Sequence, residues 1–81
     1  KFPTVLPIAG HYLTDREAEV VWHCAHNLTA TAIAEKMGVS RKTVERHKEN
    51  IRSRFGLKGH HSIQQFAYEC KTELAKWVTF P

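Results

Sequence analysis

The chain has 81 residues, of which 42% are hydrophobic and 25% charged, with a net charge of +4. That length supports one domain with a modest core, and without an apolar run of about 18 residues there is no membrane span. Two cysteines, Cys24 and Cys70, are too few for a disulfide-dense scaffold or a four-cysteine zinc site, while a pI near 9.3 points toward an acidic partner, nucleic acid first.

Residues 1–12 read as a linker arm. Pro3, Pro7 and Gly10 interrupt any helix, and no clean period-two pattern suggests a strand. The first residue is Lys1 rather than Met, so the sequence reads as a piece of a longer chain, and nothing at its start reads as a signal peptide. A first helix begins at Thr14, where Thr14-Asp15-Arg16-Glu17 has the form of a capping box. Val20, Val21, Cys24, Ala25 and Leu28 recur at helical steps and mark its core face. Thr29 caps a second, shorter helix whose apolar stripe is Ile33, Ala34 and Met37, and Gly38 ends it. After a turn of about three residues Ser40 caps a third helix, which continues through Val44, His47, Ile51 and Phe55 to Gly56. A fourth helix starts at Ser62-Ile63-Gln64-Gln65, read as a second capping box, and Ile63, Phe66, Ala67, Cys70 and Leu74 form its inner face. Trp77, Val78 and Phe80 form an apolar tail ending at Pro81. The expected fold is all-α, with four helices and no strand.

The positive charge is not spread evenly. Residues 41–58 hold seven cations (Arg41, Lys42, Arg46, Lys48, Arg52, Arg54, Lys58) against two anions (Glu45, Glu49), so all of the positive excess falls within one segment. A helix, a short turn containing Gly and a second helix is the signature of the DNA-binding helix-turn-helix. Ala34 supplies the small residue at the crossing, Gly38 the left-handed turn, and Ile33, Met37, Val39 and Val44 the apolar plugs. Projected at about 100° per residue, the third helix keeps Val44, Ile51, Phe55 and the stem of Lys48 on one side. Lys42, Arg46, Glu49 and Ser53 lie opposite, flanked by Glu45 and Asn50. Such a helix fits the major groove of duplex DNA. Arg46 can bond a guanine bidentately, and Glu45 or Glu49 can accept from a cytosine amino group. For each Glu an intrahelical pair weighs equally with a base contact. Lys42, Thr43, Arg52, Arg54, Lys58 and the helix starts at Thr29 and Ser40 suit phosphates.

Leu13-Thr14-Asp15-Arg16-Glu17-Ala18-Glu19-Val20, then Ile33-Ala34, then Val39-Ser40-Arg41-Lys42-Thr43-Val44-Glu45-Arg46-His47, then Asn50-Ile51 and Phe55-Gly56-Leu57, closely resemble the LuxR-type (NarL/FixJ-like) helix-turn-helix of bacterial transcription regulators. The likeness covers roughly residues 13–67 and is far more specific than a bare helix-turn-helix. It implies a four-helix DNA-binding output domain over residues 13–77, with residues 1–12 as the arm from an upstream regulatory domain and residues 78–81 as a tail. Such upstream domains are often phosphorylated receivers of two-component systems or ligand sensors. The resemblance further implies a cytoplasmic regulator that binds double-stranded DNA as a homodimer on paired half-sites, contacting its copy through the last helix at Phe66 and Tyr68, with RNA polymerase as a further partner. By matching position, Lys42, Thr43, Glu45, Arg46, His47 and Glu49 form the DNA-contacting set, with Lys42, Glu45, Arg46 and Glu49 on bases and His47 on phosphate. Glu17 becomes an inward carboxylate bonded to a basic residue of the third helix. The chain departs from the family pattern at Ala32, where an acidic residue is common, and at His60-His61, where an arginine is usual. Glu45 and Glu49 also make its reading helix less basic than many relatives.

Rival readings are weaker. No Gly-rich phosphate loop and no paired nucleophile and base suggest an enzyme. His23, Cys24 and His26, and His60-His61, have no second pair at zinc-finger spacing and read as helix-surface residues, so neither a metal nor a cofactor is expected. A sigma-factor region shares the Arg-Glu-x-Glu-Val start but not the Thr-Val-x-x-His run. A helical protein-interaction module that never touches DNA would use the fourth helix and the tail.

Overall fold

A computed structural model describes residues 2, 4–8, 10–59 and 61–77. Along the chain these form β1 (Val5–Ile8), β2 (His11–Thr14), α1 (Asp15–Ala25), α2 (Ala30–Met37), α3 (Arg41–Phe55) and α4 (Ser62–Ala75). The helices fall where their caps and periods place them. Thr14 accepts from the Glu17 amide, and Glu17 Oε1 accepts from the Thr14 amide at 3.0 Å, so the capping box is closed in both directions. Thr29 and Ser40 each accept the amide three residues on, from Ala32 and Thr43. Gly38 and Gly56 end α2 and α3 at φ +68° and +66°, a conformation that a Cβ disfavours.

The fold is therefore mostly helical but not purely all-α. In place of a linker arm, β1 and β2 pair antiparallel, with Leu6 opposite Leu13 and Ile8 opposite His11. The alternation is present in β1 as exposed Val5, buried Leu6, exposed Pro7 and half-buried Ile8, but Pro7 disguises it. In a two-stranded ribbon every strand is an edge, where the missing N–H of proline is tolerated. Gly10 at φ +82° turns the chain between the strands. Phe2, Leu6 and Leu13 then join the core, so the hairpin is part of the domain.

Two boundaries also differ from the sequence reading. α1 stops at Ala25 because Asn27 takes a left-handed φ of 63°, and the Leu28 amide folds back to the His23 carbonyl. Leu28 still packs against the core, from the turn and not from the helix. At α4 the expected second capping box is absent. His61 occupies the cap position without a side-chain bond, and the Ser62 hydroxyl instead donates to the Gly59 carbonyl at 2.9 Å, tying the helix start to the preceding loop. Val78, Phe80 and Pro81 of the expected tail, and His60, lie outside the described residues.

α1 is the central pillar. It packs most extensively on α4, with α3 and the hairpin beside it. Val20, Val21, Ile33, Val44, Ile51 and Leu74 are fully buried at the middle of this assembly. α2 leans across α3, and Val39 plugs the corner between them. α3 thus offers its Val44 and Ile51 side to the core and its other side to solvent.

Candidate nucleic-acid interface

The solvent side of α3 is built by the cap at Ser40 and the helical period. Lys42, Glu45, Arg46 and Glu49 are all exposed on it, together with Asn50 and Ser53. Ser40, Lys42, Thr43 and Arg46 border a small concavity at its N-terminal end. The Ser40 and Thr43 hydroxyls lie 3.0 Å apart and are engaged with each other and with the helix cap. His47 is half-buried beside this face.

The other flank carries the second cationic group. Lys48 and Arg52 project into a cleft of about 270 Å³ that is also lined by Cys24, Asn27, Leu28, Thr29, Ile63 and Gln64. One wall is closed by Gln64 Nε2 donating to Asn27 Oδ1. The cleft mouth includes Thr29, the cap of α2, whose first turn contains no acidic residue. Arg52 is steadied from outside by Glu49, at 3.2 Å, which leaves the rest of its guanidinium toward the cleft. Thus Glu49 is an intrahelical partner in the structure, while Glu45 has no such bond among the described contacts. Lys58 is exposed beyond the end of α3.

Two expected positions change role. Arg54 is not presented outward. Its guanidinium is ion-paired with the buried Glu17 and donates to the Tyr12 carbonyl at 3.1 Å, with the Tyr12 ring 5.0 Å from its centre. A guanidinium held by a buried carboxylate and a carbonyl is a structural tie, not a free phosphate ligand. This identifies the basic partner of Glu17 on the third helix. Burial alone would raise the Glu17 carboxyl, but the bond and charge of Arg54 and the Thr14 amide and hydroxyl outweigh it and hold the group below its ordinary value. Phe66 is likewise removed from the expected dimer surface. It is buried, and its ring packs on Phe55 with centroids 4.6 Å apart. Tyr68, two residues on, is 59% exposed.

Sequence reasoning missed two contributors. Lys48 was legible only as a stem on the inner side, because periodicity does not reveal the cleft that it lines. Tyr12 carried no signal, since its role depends on a hairpin hidden by Pro7. Among the described residues no cluster of three or more His, Cys, Asp or Glu side chains is placed to hold a metal ion. Cys24 and Cys70 are buried free thiols. Burial pushes the Cys24 thiol up against the opposing pull of Lys48 and Arg52. Burial, reinforced by Glu69 and Glu73, lifts Cys70 to about 11. Neither therefore carries the thiolate that nucleophilic chemistry uses. No helix among the described residues is long and apolar enough to cross a membrane.

Comparison with known proteins agrees with this architecture. Residues 11–67 match the family of bacterial regulatory proteins described as the luxR family. The Fimbriae Z protein of Salmonella typhimurium (strain LT2) is 40% identical over 63 residues, which is 74% of this chain and 29% of that protein. The chain thus spans under a third of the length of this relative. No solved structure gives a significant match. The matched span runs from β2 through the helix-turn-helix and into α4, and on that ground the chain belongs to the luxR family of DNA-binding bacterial regulators.

Proposed function

We propose that this domain binds double-stranded DNA sequence-specifically, with α3 in the major groove, as the output part of a bacterial transcription regulator. The observation that carries this reading is the exposed face of α3, where Lys42, Glu45 and Arg46 stand together without a role in the core. Lys42 and Arg46 reach base edges from the N-terminal turns, and Glu45 selects by accepting from a cytosine amino group while repelling the backbone elsewhere. Glu49 acts through Arg52, which with Lys48 and the α2 start at Thr29 addresses one backbone strand. Ser40, Thr43, His47 and Lys58 address phosphates around the same groove.

The test is selection of bound duplexes from random sequence, followed by affinity measurement at several salt concentrations. A defined consensus and a steep fall of affinity with salt are expected. No consensus, or salt-independent binding, refutes the reading. Within that experiment Lys42→Ala tells base from phosphate. Because its ammonium lies on the reading face, it should cost about 1 kcal/mol or more on the selected site, and reduce the salt slope by at most about one unit. Equal loss on every duplex would reassign Lys42 to the backbone.

The same proposal includes a homodimer on paired half-sites, formed through the outer face of α4 around exposed Tyr68. The Lys71 ammonium, 6.0 Å from the Tyr68 ring, lies on the same surface. Tyr68→Arg should raise the half-saturation concentration on a paired site roughly tenfold and leave a single half-site unchanged. Retained cooperativity would move the dimer contact elsewhere. A cytoplasmic setting, an attached regulatory domain such as a two-component receiver, and contact with RNA polymerase complete the proposal.

A further inference from the structure

A reading helix is useful only if it is held at a fixed tilt, since a displacement of an ångström misplaces every donor along the groove. In this fold α2 packs against α3, while Val44 and Ile51 anchor its inner side. The C-terminal turn is held by something else. Arg54 reaches from it to the Tyr12 carbonyl and over the Tyr12 ring, while also pairing with Glu17. Phe55, next in sequence, meets the His11 ring edge-on at 5.2 Å and the Phe66 ring at 4.6 Å. Two adjacent residues of β2 therefore grip two adjacent residues of α3. The hairpin also rests on α1 through buried Leu6 and Leu13, which gives the grip a rigid base.

Tyr12 is not a core residue. Its side chain is 48% exposed, so its ring adds little to the burial that folds the chain. What the ring does contribute is a platform under the Arg54 guanidinium. We infer that Tyr12 is a positioning residue for DNA recognition: the hairpin fixes the far end of α3 through Arg54 and Phe55, and so sets the angle at which Lys42, Glu45 and Arg46 meet the bases. This inference rests on the DNA-binding reading above.

The experiment compares the 81-residue chain with Tyr12→Ala and Tyr12→Phe. Tyr12→Phe keeps the ring and the backbone carbonyl, and Tyr12→Ala keeps only the carbonyl. The first measurement needs no DNA. Amide hydrogen exchange at residues 52–55 should quicken about two- to fivefold in Tyr12→Ala and stay at the original rate in Tyr12→Phe, the scale set by an exposed cation–π contact. The second measurement is the ratio of affinity for the selected site to affinity for mixed duplex. That ratio should fall about two- to fivefold in Tyr12→Ala and be kept in Tyr12→Phe, with the melting temperature close to that of the original chain. An unchanged ratio, or an equal loss on all duplexes, overturns the positioning role. Unchanged exchange in Tyr12→Ala overturns the ring's part in holding the end of α3. If the original chain binds no duplex, the DNA-binding reading fails, and the exchange result still decides whether Tyr12 holds the end of α3.

Discussion

Glu17→Ala should cost about 2–3 kcal/mol of folding stability, the largest single-residue effect expected outside the apolar core. Glu17 is only 3% exposed, yet its carboxylate holds two partners. It accepts from the Thr14 amide, which closes the capping box of the pillar helix, and it accepts from Arg54. Thr14 still caps the helix in the variant through the residue-17 amide, so opening the reciprocal half of the box costs less than the about 1 kcal/mol of a lost cap. Removing one member of a buried ion pair costs about 3–5 kcal/mol where the survivor stays dry. Here the Arg54 side chain is 26% exposed, so water recovers part of its solvation and the larger figure does not apply. A domain of this size has about 4–12 kcal/mol in all, so the loss is a substantial share. It should appear as a fall of about 8–20 °C in the midpoint of a thermal melt followed by circular dichroism. A fall of less than about 3 °C would mean that the pair adds nothing to stability. Acid gives a second readout. Since the folded carboxyl titrates below its ordinary value of 4.5 despite burial, its contribution is complete above about pH 4.5 and is lost as pH falls through the lower folded value. Glu17→Gln should lack that component of acid destabilisation.

Arg46→Ala should lower affinity for the selected duplex by about 1–3 kcal/mol, or roughly five- to 150-fold, and broaden the consensus at one base pair. The argument is geometric. Arg46 is exposed on the reading face and has no carboxylate partner among the described ion pairs, so its forked donors remain available for the two acceptors of a guanine edge. Folding should be unaffected, which a melt verifies. Repeating the selection with the variant checks the assignment. A uniform loss with an unchanged consensus would place Arg46 on phosphate.

The helices were legible because each carries its own local signals. Thr14, Thr29 and Ser40 announce starts, Gly38 and Gly56 announce stops, and the apolar steps between them point inward. The reading face followed from the same periodicity, and the luxR-type pattern from the residues along it. What escaped was non-local. The hairpin depends on pairing Leu6 with Leu13 and on their burial against α1, while Pro7 and Gly10 look locally like breakers. Arg54 looked like any other cation of the basic segment. Only its proximity to a carboxylate 37 residues earlier separates it from Arg52 two positions before. Phe66 is similar: helical phase put it on the inner face of α4, and the resemblance drew it outward to a partner surface, but the ring of Phe55 claims it. Ser62 satisfied the written form of a capping box, yet the helix starts one residue earlier than that form requires: His61 holds the cap position, and its carbonyl accepts the Gln65 amide that the Ser62 hydroxyl would have taken.

The two carboxylates on the solvent side of α3 have a kinetic corollary. On the proposed function, a duplex off its target would meet Glu45 and Glu49 as repulsive charges near its phosphates, with Glu49 only partly offset by Arg52. Residence on irrelevant sequence would then be brief, which would shorten the search for the right site at the expense of overall grip.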